Sequence, residues 1–151
     1  ELTLSWRSDG TIGVGAGEGA TANLALPAGS GDEVYGEAFR EVVLPLLRRH
    51  APDLILVSAG YDAHQRDPLA SMELSSDAYG AMASALVETA EALGHGRVLC
   101  LLEGGYDLVG LESSVAATAR ALLGTHTALP EGRVPAAARE AIAAAKRATS
   151  R

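Results

Sequence analysis

Apolar positions along this chain fall into two patterns that alternate, one at helical spacing and one in short unbroken runs. Over residues 32–50, Tyr35, Ala38, Phe39, Val42, Val43, Leu46 and Leu47 recur at helical spacing, with Asp32 able to cap the start. Pro45 lies inside that pattern and should kink the helix or split its last turn. The run Leu54-Ile55-Leu56-Val57 then predicts a strand over 53–58 buried on both faces. A loop rich in Gly, Asp, Pro and Ser covers 59–74, after which Ser75 can cap a second helix reaching about residue 93. That helix presents Tyr79, Met82, Ala83, Leu86, Ala90 and Leu93 on one face, and Gly94 and Gly96 end it. A second apolar strand, 97–102, runs straight into Glu103-Gly104-Gly105-Tyr106-Asp107. A third helix follows over 108–123, with Leu111, Val115, Ala119 and Leu122 inward. Residues 132–151 form an alanine-rich terminal helical segment opened by Pro135. Upstream, 23–27 reads as a shorter strand.

Buried strands alternating with helices indicate parallel βα units, hence an α/β fold with a parallel sheet and helices on both faces. No internal repeat or linker divides residues 1–151, which read as one domain. In open parallel sheets, ligands bind in the crevice beyond the carboxyl ends of the strands. The loops leaving those ends are 58–67 and 103–107, and both carry chemistry.

Composition narrows the class. The 151 residues are 48% hydrophobic and 21% charged, as in ordinary globular proteins. No run of 18 apolar residues is present, and residues 1–10 lack the basic start of a signal peptide. A single cysteine, Cys100, excludes an internal disulfide; flanked by Val98, Leu99, Leu101 and Leu102, it reads as a buried thiol in a reducing cytoplasm. The net charge of −7 argues against nucleic acid or an anionic membrane as a direct partner and tolerates a cationic ligand. The chain starts at Glu1, so it is expected to be cut from something longer.

Asp62, just past the first strand, is a rigidly held carboxylate of the kind a metal needs; equally, it could cap a turn. Asp62-Ala63-His64 looks like a pair of ligands, with His64 otherwise an exposed loop residue. In the second loop, Gly104 and Gly105 allow a tight turn and close approach to a ligand. Tyr106 there offers a protonated hydroxyl able to donate to a developing oxyanion, or else packs its ring on the sheet edge. The run Gly13, Gly15, Gly17, Gly19 misses the G-x-G-x-x-G spacing, so phosphate binding has no support. His50, His95 and His126 have no partner at ligand spacing, and no serine sits in a G-x-S-x-G setting.

The stretch from Asp53 through Ser58-Ala59-Gly60-Tyr61-Asp62-Ala63-His64 to Asp67-Pro68-Leu69, followed by Leu102-Glu103-Gly104-Gly105-Tyr106-Asp107-Leu108, resembles the histone deacetylase-like family. The nearer likeness is to its class II, acetylpolyamine-amidohydrolase and acetoin-utilization branches, over roughly residues 13–124. The resemblance implies the C-terminal part of an arginase/deacetylase-type fold. It also implies a zinc-dependent deacetylase acting on acetylated lysine or acetylpolyamine. That family's zinc is held by an Asp-x-His pair and a later Asp, with a His-His pair as general base and acid. By position, Asp62 corresponds to the later Asp ligand and Tyr106 to the carbonyl-polarising tyrosine. Gly104 and Gly105 correspond to the glycines before it, on the substrate side. His64 then falls outside the ligand pair, which lies on an earlier strand end.

The His-His pair and the Asp-x-His ligands are missing: four histidines are present, none adjacent to another. One carboxylate does not hold catalytic zinc, which takes three protein ligands. The chain by itself is therefore expected to lack activity. The competing expectation is a non-catalytic α/β module with a binding or regulatory role. A two-metal ureohydrolase ranks below both, because it needs Asp-x-Asp where this chain has Asp62-Ala63-His64. Half of a parallel sheet should also expose apolar edges, so self-association into a homo-oligomer is expected.

Overall fold

Parallel strand pairing sets the frame of the structure, a computed structural model that describes residues 3–5 and 21–149. Strand β1 (Thr3–Ser5) pairs in parallel with β2 (Thr21–Asn23). Strand β3 (Ile55–Ala59) pairs in parallel with β4 (Val98–Leu102). Helix α3 (Ser76–Ala92) connects β3 to β4, and α4 (Leu108–Leu122) follows β4, giving the alternation that the pattern predicts. Ahead of β3 stand α1 (Asp32–Ala38) and α2 (Leu44–His50), and α5 (Ala136–Ala148) closes the described chain. The short upstream strand covers Thr21–Asn23 and stops where 23–27 was expected to begin; Leu24 and Leu26 are still buried, in irregular backbone.

Pro45 splits the first long helix as anticipated, but through a π turn, Phe39–Val43, that joins α1 to α2. Proline has no N–H to give to the carbonyl one turn back. The ladder widens just before it, with the Leu44 N–H reaching the Phe39 carbonyl five residues earlier. The apolar stripe survives the change of pitch: Tyr35, Ala38, Phe39, Val42, Val43, Leu46 and Leu47 are all buried. Asp32 is not the cap. Gly31 occupies that position, and Asp32 turns to α3, accepting from the Ser75 backbone N–H at 2.8 Å and from the Ser75 hydroxyl at 2.6 Å. Ser75 in turn caps α3 by accepting from the Ala78 N–H.

Helix α3 is buried on nearly every side, between α1, α2 and α4. Its seam with α4 consists of small residues, which corrects the inward face expected for α4. Ser114, Ala117, Thr118 and Ala121 are buried, whereas Val115 and Leu122 are exposed. A Cβ at Gly80 would lie 3.2 Å from the Ala117 Cβ, so the two helices approach too closely for large side chains at the seam.

The strands are likewise not buried on both faces. Ile55, Val57 and Val98 face the helices and join the core, while Leu56 (61% exposed), Leu99 and Leu101 lie open on the opposite face. Among the described residues nothing covers that face. Cys100 is half-buried on the helix side, and burial pushes its thiol up from the ordinary value. No helix among the described residues is long and apolar enough to cross a membrane.

Gly36 tests the packing argument. It sits inside α1, where alanine would ordinarily gain about 1 kcal/mol of helix propensity. Here an added Cβ would fall 2.1 Å from the Pro130 carbonyl oxygen. Gly36→Ala is therefore expected to destabilise the fold, by roughly 1–3 kcal/mol in urea denaturation, as overpacking does. A stabilised variant would refute this contact.

Candidate active site

The register of β3 against β4 places Ala59 beside Leu102, so the two strands end level and their loops leave side by side. Backbone hydrogen bonds continue the pairing past the strands. The Glu103 N–H donates to the Ala59 carbonyl at 3.1 Å, and the Tyr61 N–H donates to the Gly104 carbonyl at 2.9 Å. Asp62 and the Gly104-Gly105-Tyr106 segment thus occupy one crevice.

The glycines are explained by what stands against them. A Cβ at Gly104 would lie 3.0 Å from Asp62 Oδ1, and one at Gly60 would lie 2.7 Å from the same oxygen. The Asp62 carboxylate sits in the space these two residues leave open. Gly105 has φ of +130°, and a Cβ there would meet both Tyr61 and Leu111 at 3.0 Å. Beneath the loops lie three tyrosines. Tyr61 and Tyr79 are buried with ring centroids 5.0 Å apart, and Tyr35 is buried close by. Burial, and then the Asp62 charge, push the Tyr35 phenol up to about 12. Burial also pushes Tyr79 well above its ordinary value, with the charges around it adding to the shift. The Tyr79 hydroxyl finds no hydrogen-bond partner among the described residues.

Tyr106 is 60% exposed, so its ring does not pack on the sheet edge. Its backbone N–H donates to Asp67 Oδ2 at 2.7 Å, while Asp67 Oδ1 accepts from the Leu69 N–H at 2.9 Å. Burial pushes the Asp67 carboxyl up, but N–H groups of Tyr106, Leu69, Ala70 and Asp107 outweigh it and hold the group below the ordinary carboxylate value. Asp107 caps α4 by accepting from the Gly110 N–H at 2.7 Å, and it also accepts from Arg66 Nε at 3.0 Å. The Arg66 hydrogen bond, followed by the Gly110 N–H, lowers its carboxyl.

His64 is not the exposed loop residue that the pattern allowed; it is 4% exposed. Its Nδ1 accepts from the Arg66 N–H at 3.1 Å, which leaves Nε2 protonated to donate to the Ser76 hydroxyl, also at 3.1 Å. That tautomer cannot take a proton from Ser76, so the pair is not a nucleophile with its base. Gly110 makes room for the ring, since a Cβ there would come within 2.7 Å of His64 Nδ1. Of the other histidines, His126 pairs with Glu88 at the surface and His95 Nδ1 accepts from the Arg97 N–H. The glycine run at 13–19 lies outside the described residues.

Zinc is not accommodated by this donor set. Among the described residues, no group of three or more His, Cys, Asp or Glu is placed to hold a metal ion. Both nitrogens of His64 and both oxygens of Asp67 are already engaged. The Asp62 carboxylate lies between Gly60 and Gly104.

Comparison with known proteins gives this geometry its context. The Histone deacetylase domain family matches residues 7–122. The chain belongs to the histone deacetylase family. It is 47% identical over 125 residues to histone deacetylase 14, chloroplastic, of Arabidopsis thaliana, covering 83% of this chain and 30% of that protein. It is 42% identical over 95 residues to a histone deacetylase-like amidohydrolase of Pseudomonas aeruginosa, covering 63% of this chain and 25% of that one. Among solved structures, the HDA15 HD domain superposes with a TM-score of 0.82 at 32% identity, covering 94% of this chain and 40% of the other. The histone deacetylase Clr3 gives 0.80 at 35%, covering 92% and 23%. The fold is therefore the α/β arginase/deacetylase type, with a parallel sheet flanked by helices. The chain spans less than a third of the length of the first curated relatives it matches.

Sequence reasoning overlooked Asp67 and Asp107 as the groups that tie the crevice together. The signals were present: a carboxylate two residues before a backbone N–H it can reach, and an Asp directly ahead of a helix. Both carboxyls lie below their ordinary value in the fold, so each stabilises it above about pH 4, the unfolded-chain value. That contribution vanishes as pH falls through the folded values. The thermal midpoint of wild type is expected to drop on acidification from about pH 6 to about pH 3. An Asp67→Asn, Asp107→Asn chain should start lower and drop less; parallel curves would contradict the assignment.

Proposed function

We propose that this chain contributes Asp62 and Tyr106 to a zinc-dependent deacetylase site that removes acetyl groups from lysine or polyamine amines, and that its 151 residues do not perform the reaction unaided. The observation behind this reading is the shared crevice: Asp62 against Gly60 and Gly104, with Tyr106 two residues beyond Gly104. Membership in the histone deacetylase family makes an acylated amine the substrate class, and the class II, acetylpolyamine-amidohydrolase and acetoin-utilization branches are the proposed subgroup. In this reading Asp62 is one metal ligand, Gly104 and Gly105 let the substrate approach the backbone, and the exposed Tyr106 hydroxyl donates to the acetyl carbonyl. We further place the protein in a reducing cytoplasm as the C-terminal part of its domain.

A second reading is a non-catalytic α/β module with a binding or regulatory role. For the chain taken by itself, the lack, among the described residues, of any group of three or more His, Cys, Asp or Glu placed to hold a metal ion favours it.

Equilibrium dialysis against zinc and an acetyl-lysine reporter assay separate the cases. The 151-residue chain is expected to hold no stoichiometric zinc and to release no acetate. Tight zinc binding together with hydrolysis would overturn the claim of an incomplete site. In a longer family polypeptide carrying this segment, Asp62→Ala should abolish zinc retention. Tyr106→Phe there should keep zinc and slow turnover on the order of 100-fold, as loss of an oxyanion donor does. Equal loss of zinc in both variants would sink the division of roles.

A further inference from the structure

Tyr106 presents a problem that its own side chain does not solve. The ring is 60% exposed, so packing does not fix its direction. It follows a glycine at positive φ, and the residue after it is held by the α4 cap. Where the phenol points is then governed by how the backbone at 106 is anchored. That backbone N–H goes to Asp67 Oδ2 at 2.7 Å, across from the other loop.

We propose that Asp67 is a positioning residue for Tyr106: its buried carboxylate bridges the loop that carries Asp62 and the loop that carries Tyr106, fixing the separation between the two. One oxygen takes the Tyr106 N–H and the other takes the Leu69 N–H, with the backbone of Ala70 and Asp107 also turned toward the carboxylate. Two consecutive N–H groups from each loop therefore converge on one side chain. The side of the carboxylate serving its own loop is itself braced, since the Asp67 N–H donates to the His64 carbonyl at 2.8 Å. A charged acceptor makes stronger hydrogen bonds than a neutral one, and at 8% exposure water competes poorly for them. The Arg66–Asp107 pair also spans the loops, but Arg66 is largely exposed, so that link is weak. The positioning role rests on Tyr106 being the carbonyl donor; the bridge itself does not.

The test uses the 15N-labelled 151-residue chain and follows amide hydrogen exchange at Tyr106 and Leu69, with the amides of α3 as the reference for intact folding. Asp67→Ala should accelerate exchange at Tyr106 by about 10-fold or more, the factor that loss of a charge-assisted hydrogen bond corresponds to. Asp67→Asn, which keeps one acceptor oxygen in the same shape, should retain part of the protection and report the bridge even if the alanine variant fails to fold. Arg66→Ala should leave the Tyr106 amide unchanged. Unaltered Tyr106 exchange in Asp67→Asn and Asp67→Ala, with α3 protection intact, would overturn the proposal. So would an equal acceleration in Arg66→Ala, which would mean that the loop loosens without reference to Asp67. In a longer, active family polypeptide carrying this segment, a Tyr106→Phe substitution that leaves deacetylation unaffected would remove the role proposed for the phenol and leave the Asp67 result standing.

Discussion

Everything at the crevice depends on the parallel pairing of β3 with β4. Their five paired residues end level at Ala59 and Leu102, which brings the loop bearing Asp62 beside the loop bearing Tyr106. A slip of one residue would turn every side chain to the opposite face. It would also withdraw Gly104 from the Asp62 carboxylate, where no side chain fits. The hydrogen bonds from Glu103 to Ala59 and from Tyr61 to Gly104 show the ladder reaching past the regular strands. The site is thus built on backbone pairing first and on side chains second.

Helix α3 carries that frame into the rest of the molecule. Its cap, Ser75, is held by Asp32 at the start of α1, so two helix N-termini far apart in sequence share one carboxylate. Ser76, the first residue of α3, accepts the hydrogen bond from His64 Nε2 and reaches Ser113 at 2.7 Å and Ser114 at 3.3 Å on α4. The crevice floor, α3 and α4 are joined by a short polar chain at one end and by a small-residue seam along their length. Interiors packed this closely shift as units.

Periodicity sufficed for the helices and for the positions of both strand ends, because a stripe at 3.6 residues and a short apolar run are local properties. It also located the two loops, through the rule that parallel sheets present their chemistry at carboxyl ends. Features set by tertiary packing escaped it. The inward face of α4 was misread because Val115 and Leu122 are more apolar than Ser114 and Thr118, yet the nearness of α3 admits only small residues there. The strands were read as covered on both faces because unbroken apolar runs usually are, whereas Leu56, Leu99 and Leu101 lie open. The engagement of Asp67 with residue 106, thirty-nine positions away, is a tertiary contact with no trace in local spacing. The same holds for the burial of His64.

His64 and Gly110 carry a consequence for how this region can vary. The imidazole occupies the volume that a Cβ at position 110 would need, with Nδ1 at 2.7 Å. Neither position therefore has an independent list of tolerated residues. A methyl group at 110 displaces the ring, and with it the acceptor for the Arg66 N–H and the donor to Ser76. The intermediate with alanine at 110 and histidine at 64 is the strained one, so the order in which the two changes arise matters. The two positions are therefore coupled: the cost of a side chain at 110 depends on the residue at 64.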